Sequence, residues 1–285
     1  MLLGTVLVLL GSLAHAGWNV LVKRASVTGT SFVWLYSALI TPVLAVMLAS
    51  RALSEGSTAF SDAWAAVVSA GLHTAYALVL QRSYAVGDLG VVYPVARAGA
   101  PILVALAAVP MFGGATGPAL WIGIALIGIG VPLLVGRRAQ SRRAGLTGAV
   151  AGGATALTIA AYTLWDGYAV ARLNVDVMSY LALTSLVQFA VLTVVVAVKP
   201  GRPGDVVRSH WRLALPVALL VPTSYGLVLA ALEHADVQVV AAMRSASILA
   251  AAVLGWWLLG EPRSPRRMVG AVVLTAGVAA AALGS

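Results

Sequence analysis

The sequence predicts an all-α integral membrane protein with ten transmembrane helices, arranged as two inverted repeats of five. First, 61% of the 285 residues are apolar and only 9% are charged, whereas soluble proteins carry about a quarter charged residues. Second, apolar runs recur at about 20 residues, the length that crosses ~30 Å of hydrocarbon as a helix. Third, the two halves share polar residues, glycines and prolines at matching spacings.

Each apolar run is expected to be a helix, because lipid offers no partner for an unpaired backbone group. The first run resembles a signal peptide, but its basic pair, Lys23 and Arg24, follows the apolar residues and further spans come after it, so we interpret it as a span. The predicted spans are 2–22, 31–50, 63–84, 89–110, 117–136, 146–168, 177–198, 212–232, 237–259 and 267–284.

The repeat is predicted from polar residues that recur in the same order. Asp88 and Arg97 in the first half correspond to Asp236 and Arg244 in the second. The other matched pairs are Gly4 with Gly148, Trp18 with Tyr162, Tyr76 with Tyr225, Gly113 with Gly260, Pro118 with Pro265, Gly123 with Gly270, and Gly130 with Gly277. The polar segment 136–145 divides the chain into predicted repeats 1–139 and 140–285.

Five spans per repeat is an odd number, so the two halves are expected to lie in opposite orientations across the membrane. Many secondary transporters follow this plan, with the substrate site near the midplane between the halves.

The net charge of +9 needs no nucleic-acid partner, because basic residues in a membrane protein concentrate in cytoplasmic connections. We number each connection by the span that precedes it. The even-numbered connections carry Arg51 and Arg172. The odd-numbered ones carry Lys23, Arg24, Arg82, Arg137, Arg138, Arg142, Arg143, Lys199, Arg202, Arg208, Arg212, Arg263, Arg266 and Arg267. This asymmetry predicts that the odd-numbered connections face the cytoplasm and that both termini face outward.

Two arginines fall deep within predicted spans. Arg97 lies about 12 Å into the fourth span at ~1.5 Å per residue, and Arg244 occupies the related position of the ninth. An arginine at mid-bilayer costs at least ~2.5–3.5 kcal/mol, so it is expected to face a wet cavity or a partner. The alternatives are snorkelling to the interface or pairing with a carboxylate near a helix end. The carboxylates available for such pairing are Asp88, Asp166, Glu233 and Asp236.

His15 and His73 also fall near the middle of their spans. A ligand contact, a packed histidine and a proton relay all remain open for them. No Asp or Glu is expected at comparable depth, so the interior favours an anionic or zwitterionic ligand, which arginine binds through its bidentate fork.

Aromatic and amide side chains on the same spans complete the predicted pocket. Tyr and Trp combine an apolar body with a hydrogen-bonding tip, although many such residues mark only the membrane interface. The predicted substrate-binding residues are His15, Trp18, Asn19, His73, Tyr76, Arg97, Tyr162, Tyr225 and Arg244.

No enzyme signature is found in the sequence. There is no cysteine, the glycine runs lack the Lys-Ser/Thr ending of a phosphate loop, and the histidines lack metal-ligand spacing. We therefore expect no catalytic residues, no metal and no cofactor. A flippase or a membrane enzyme acting on a lipid-linked substrate is the alternative to a carrier, and a subunit without transport activity is a third hypothesis.

The segment HAGWNVLVKRA, the paired Asp-to-Arg segments and the ending LLGEPRSPRRMVGAVVLTAGVAAAAL resemble the EamA family of the drug/metabolite transporter superfamily. The resemblance covers nearly the whole chain, and Gly260-Glu261 before the last helix is typical of that family. At the corresponding position of the first half, the sequence is Gly113-Gly114, so the acidic residue is missing. Family members are often drawn with both termini in the cytoplasm, which is the reverse of what the charge asymmetry predicts.

The resemblance implies ten helices in two inverted repeats around a central cavity and transport of a small metabolite. Together with the arginine pair, it predicts a secondary transporter of an organic anion or zwitterion, such as an amino acid, phosphonate or carboxylate, working by alternating access. The expected location is the cell (inner) membrane, as a multi-pass protein. The expected partners are the small-molecule substrate and the lipid bilayer, with no nucleic acid, and a homodimer is left open.

Overall fold

The structure is a computed structural model that describes residues 2–24, 29–55, 63–114, 117–135, 141–198, 203–258, 260 and 264–284. In these ranges the regular structure is helical throughout. The helices are α1 (Leu2–Arg24), α2 (Thr30–Glu55), α3 (Ala63–Val86), α4 (Leu89–Phe112), α5 (Pro118–Leu134), α6 (Arg142–Ala171), α7 (Val177–Val198), α8 (Pro203–Leu232), α9 (Val237–Met243), α10 (Ala246–Leu258) and α11 (Pro265–Leu283).

The prediction of ten membrane spans is confirmed, since the described residues contain 10 helices long and apolar enough to cross a bilayer. Two helices begin earlier than expected, α6 at Arg142 and α8 at Pro203. Their basic and polar first turns continue the helix beyond the apolar run, because a helix satisfies its backbone groups in water as well as in lipid.

The ninth span, predicted over 237–259, is confirmed as Val237–Leu258, but its helix is not regular throughout. It is broken into α9 and α10 at Arg244 and Ser245. At the break, the N–H of Ser245 donates to the carbonyl of Ala242 and that of Ser247 to the carbonyl of Arg244. Each of these hydrogen bonds joins residues three apart, as in a 3₁₀ turn. The α-helical hydrogen-bond pattern is therefore interrupted at Arg244.

Helices of the two halves pack directly on one another. α1 packs on α8 and α10, while α6 packs on α3 and α4. These pairs correspond under the predicted repeat, because α6 is the counterpart of α1, α3 of α8, and α4 of the broken ninth span. The inverted orientation and the division into repeats 1–139 and 140–285 stay predictions.

α5 and α11 meet almost backbone to backbone. A Cβ placed on Gly123 would lie 2.6 Å from the backbone nitrogen of Ala281, and one on Gly277 would lie 2.9 Å from the carbonyl oxygen of Gly123. Two of the glycine pairs that indicated the repeat therefore contribute to this contact. Small residues allow helices to approach closely in lipid, where van der Waals packing drives association.

Contacts between connections show that successive spans alternate in direction. Arg51 pairs with Asp176, and Arg172 donates to the carbonyl of Phe112 at 3.1 Å, so the second, fourth and sixth connections lie at one end of the bundle. At the other end, Arg266 donates to the carbonyl of Pro132 at 2.8 Å. Which end faces the cytoplasm stays a prediction.

Several features of the sequence prediction lie outside the described residues. They are the first half of the seam between the repeats (136–140), the basic residues Arg137, Arg138, Lys199, Arg202 and Arg263, and Glu261.

Candidate functional site

A small cavity lies between α4, α6 and the broken ninth span. Its volume is about 30 Å³, room for about two water molecules. The lining residues are Arg97, Ala100, Pro101, Val104, Ile159, Tyr162, Thr163, Ala241, Arg244, Ser245 and Ile248. Both deep arginines therefore face the same space, one from each half of the chain.

Arg97 reaches the cavity from α4 and is held by two neighbours. Its Nη2 lies 3.3 Å from Nε2 of His15 on α1, and its guanidinium lies 5.6 Å from the ring centroid of Tyr93. Tyr93 precedes Arg97 by one helical turn, which places both side chains on one face of α4. The guanidinium is thus positioned by an imidazole acceptor and by the negative face of an aromatic ring.

Arg244 reaches the cavity from the break between α9 and α10. Its Nη2 donates to the hydroxyl of Tyr162 on α6 at 3.4 Å, and its guanidinium lies 5.8 Å from the centroid of the same ring. Because Tyr162 also lines the cavity, this one aromatic residue forms part of the wall and orients the second arginine.

Within the described ranges, neither guanidinium pairs with a carboxylate. Two of the acids considered as partners at the sequence level have other roles. Asp88 caps α4 by accepting from the N–H of Gly90 at 2.8 Å, and Asp166 is bonded by hydroxyls and an imidazole. Among the described residues, the cavity therefore presents two cationic groups with no carboxylate paired to either one.

Asp166, five residues before the end of α6, forms the centre of a second polar cluster. The residue is only 3% exposed. Its Oδ1 accepts from the hydroxyls of Ser69 at 2.7 Å and Tyr180 at 2.8 Å. Its Oδ2 accepts from the hydroxyl of Tyr225 at 3.0 Å and lies 3.2 Å from Nε2 of His73. The expectation that the interior lacks a carboxylate is therefore incorrect.

The rings of His73 and Tyr162 connect this cluster to the cavity. They stack at 4.2 Å between centroids, with 27° between planes. His73 also meets the ring of Tyr225 edge-on at 4.9 Å, and Tyr76 meets Tyr162 at 5.4 Å. A continuous series of side chains thus runs from Asp166 through His73 and Tyr162 to Arg244.

The predicted binding residues fall into two groups. Arg97, Tyr162 and Arg244 line the cavity. The other six lie behind the wall, where His15, His73 and Tyr76 contact the lining residues and Tyr225 bonds Asp166.

Trp18 and Asn19 lie further back, around His15. The indole of Trp18 packs edge-on against His15 at 5.0 Å, and Asn19 donates to the His15 carbonyl at 2.7 Å. Both contact His15, which in turn contacts Arg97 at the cavity.

Sequence reasoning did not find Asp166, Ser69 and Tyr180 as parts of the interior. One signal was present, because Ser69 and His73 are four residues apart on α3 and so share a helix face. Asp166 was missed because its span was predicted to end at residue 168, whereas α6 continues to Ala171. Its partners come from α3, α7 and α8, which no local pattern brings together.

Comparison with known proteins supports both the fold and a family. One solved structure, described only as "Crystal structure of protein", aligns with a TM-score of 0.80 over 98% of this chain and 96% of that chain. Its identity to this sequence is 17%, so the likeness concerns the fold alone. No curated protein matches the sequence. Residues 146–283 match the model of the EamA-like transporter family. The family match lies in the second half of the chain and indicates a membrane transporter of the drug/metabolite type, in agreement with the multi-pass arrangement of the helices.

Proposed function

We propose that the protein is a secondary transporter of a small organic anion or zwitterion, and that Arg97 and Arg244 hold the anionic group of the substrate. The observation that carries this proposal is that both guanidiniums line one cavity and that neither has a carboxylate partner within the described residues. Amino acids, phosphonates and carboxylates are the classes we expect.

Physical chemistry favours an anion at this place. An unpaired charge in a medium of low dielectric is expensive, and an opposite charge with good hydrogen-bond geometry offsets that cost. Guanidinium groups bind carboxylate and phosphate through two parallel hydrogen bonds. The hydroxyl of Thr163 is buried in the same wall and has no hydrogen-bond partner in the described part of the chain, so it can bond a polar group of the substrate.

The cavity volume agrees with a carrier that changes shape. About 30 Å³ is too little for an amino acid, whereas ligand pockets typically measure ~300–1,000 Å³. We interpret the described conformation as a closed state and propose alternating access, in which the predicted repeats 1–139 and 140–285 rock about the arginine pair. The proposed location is the cell (inner) membrane.

The test is transport and binding by purified protein in liposomes, screened against amino acids, phosphonates and carboxylates at two pH values. We expect Arg97→Gln and Arg244→Gln each to weaken binding of the identified anion by about 100-fold, as for loss of a charge-assisted hydrogen bond of ~1.5–3 kcal/mol. Arg208→Gln is the matched control, because Arg208 is exposed near the start of α8. Wild-type affinity in both cavity variants would reject the proposal.

A further inference from the structure

We propose that the transporter is proton-coupled and that the His73–Asp166 pair is its proton-binding site. The inference rests on the proposed function, because it takes the arginine pair as the site of the anion. It goes further by naming the coupling ion and the side chains that bind it.

The geometry isolates a titratable pair in the interior of the helix bundle. Asp166 is 3% exposed and each of its oxygens has two neighbours, the hydroxyls of Ser69 and Tyr180 for Oδ1 and the groups of Tyr225 and His73 for Oδ2. Three of these four neighbours are hydroxyls, which do not gain or lose a proton near neutral pH. His73 is the exception, since each nitrogen of an imidazole ring can carry a proton.

The groups around the pair are expected to keep a constant charge when the pair binds a proton. They are Tyr162 on α6 itself, Tyr76 on α3, Tyr180 on α7, Tyr225 on α8, Arg97 on α4 and Arg244 between α9 and α10. A phenol is neutral and a guanidinium is cationic at neutral pH. We therefore assign the bound proton to the pair and not to the groups around it.

His15 is the second interior imidazole, and its position differs. Its Nε2 lies against the guanidinium of Arg97 at 3.3 Å. A guanidinium can only donate, so this contact requires a neutral imidazole nitrogen as the acceptor. A proton on His15 would break a bond that positions Arg97, whereas a proton on the His73–Asp166 pair leaves both arginines bonded as they are.

The positive charge of a bound proton is expected to favour binding of the anion. With Asp166 ionised and His73 neutral, the two arginines and this carboxylate sum to one positive charge, and one bound proton raises the sum to two. His73 stacks on Tyr162, which bonds Arg244 at the cavity, so the added charge lies one side chain behind the anion site. The proton therefore favours anion binding and, by reciprocity, the anion favours proton binding. The two are expected to travel in the same direction.

The first arm of the test needs no substrate. Infrared difference spectra of the full-length protein in liposomes, recorded between pH 8 and pH 5.5, should show a band of a protonated carboxyl or imidazolium group. We expect this band to be lost in Asp166→Asn and in His73→Gln, and to remain in Asp205→Asn, whose carboxylate is exposed in the first turn of α8. Persistence of the band in both pair variants would overturn the proposal.

The second arm measures anion affinity with pyruvate as the probe, because this monocarboxylate stays fully ionised over the same pH range. We expect the wild type and Asp205→Asn to bind about tenfold more tightly at pH 5.5 than at pH 8. Asp166→Asn and His73→Gln should still bind pyruvate, with an affinity that no longer depends on pH.

Other outcomes separate the two proposals. Retention of the pH dependence in the pair variants, its loss in His15→Gln alone, or a requirement for Na⁺ over choline at fixed pH would each overturn the proton site while leaving the anion site intact. If the wild type takes up no pyruvate and no other screened anion, the proposed function fails and proton coupling fails with it. If Asp166→Asn does not fold, His73→Gln decides the result alone.

Discussion

Nη2 of Arg97 on α4 lies 3.3 Å from Nε2 of His15 on α1. The guanidinium has no acceptor, so the imidazole must accept the bond with a neutral Nε2. The contact therefore holds the direction of one cavity arginine from a helix that does not itself line the cavity.

Removal of this acceptor should loosen Arg97 without removing its charge. We expect His15→Leu to weaken anion binding by about tenfold, the equivalent of ~1.5 kcal/mol for a hydrogen bond to a charged group. His15→Gln should retain most of the affinity, because its amide oxygen can accept in place of the imidazole. Equal affinities for the two variants, measured by equilibrium binding in detergent, would show that His15 does not position Arg97.

The hydroxyl and the ring of Tyr162 have separable roles. Tyr162→Phe removes the acceptor of the Arg244 bond but keeps the ring that stacks on His73, so we expect a loss of anion affinity of about threefold to tenfold. Tyr162→Ala removes both contacts and should lose considerably more. Tyr168→Phe, on the same helix at an exposed position, is the matched control and should bind as the wild type does.

The close contact between α5 and α11 should tolerate no side chain at its centre. A Cβ on Gly123 would lie 2.6 Å from the backbone of α11, so Gly123→Val must separate the two helices. We expect a loss of about 3 kcal/mol in the free energy of unfolding, as for severe overpacking, measured by denaturant titration in detergent.

Gly128 on the same helix provides the control for that experiment. A Cβ at this position meets nothing within 4 Å, so Gly128→Val should change the stability by much less than Gly123→Val. Similar losses in the two variants would contradict the proposed role of the α5–α11 contact.

The ion pair of Arg51 and Asp176 should make the free energy of unfolding depend on pH in the acidic range. Partial burial raises the pKa of Asp176, but hydrogen bonds from Ser179 and Arg51 outweigh it and hold the pKa below its ordinary value of 3.8. The folded state therefore binds fewer protons than the unfolded state, so this stabilisation is complete above the ordinary pKa and is lost as the pH falls through the folded pKa.

Asp176→Asn isolates the charge, since asparagine can still accept the bond from the N–H of Ser179 at the start of α7. Because the pair is partly exposed, we expect the variant to lose only about 0.5 kcal/mol at pH 7. The difference from the wild type should vanish at a pH below the folded pKa. An undiminished difference there, in unfolding midpoints, would assign the effect to the cap and not to the charge.

Much of the candidate site could be predicted because the depth of a residue in its span follows from its position along that one helix. Arg97 and Arg244 were identified by counting residues from the start of each span, and the structure places both at one cavity. Tyr162 was identified as the counterpart of Trp18, yet only Tyr162 lines the cavity. The sequence gives no rule for which of two related positions faces inward, because that depends on how each helix is rotated against its neighbours.

By itself, the sequence determined that the chain has ten helices able to cross a membrane and where these spans lie, and it predicted two arginines deep within them, since hydropathy, length and charge act along a single helix. Only the tertiary structure decided that Asp166 belongs to the interior, that the ninth span breaks at Arg244, and that both arginines share one cavity. Asp166 is bonded by Ser69, His73, Tyr180 and Tyr225, which lie on three other helices. The physical reason is that a buried carboxylate is satisfied by donors that packing brings close together, and such donors leave no periodic signal along the chain.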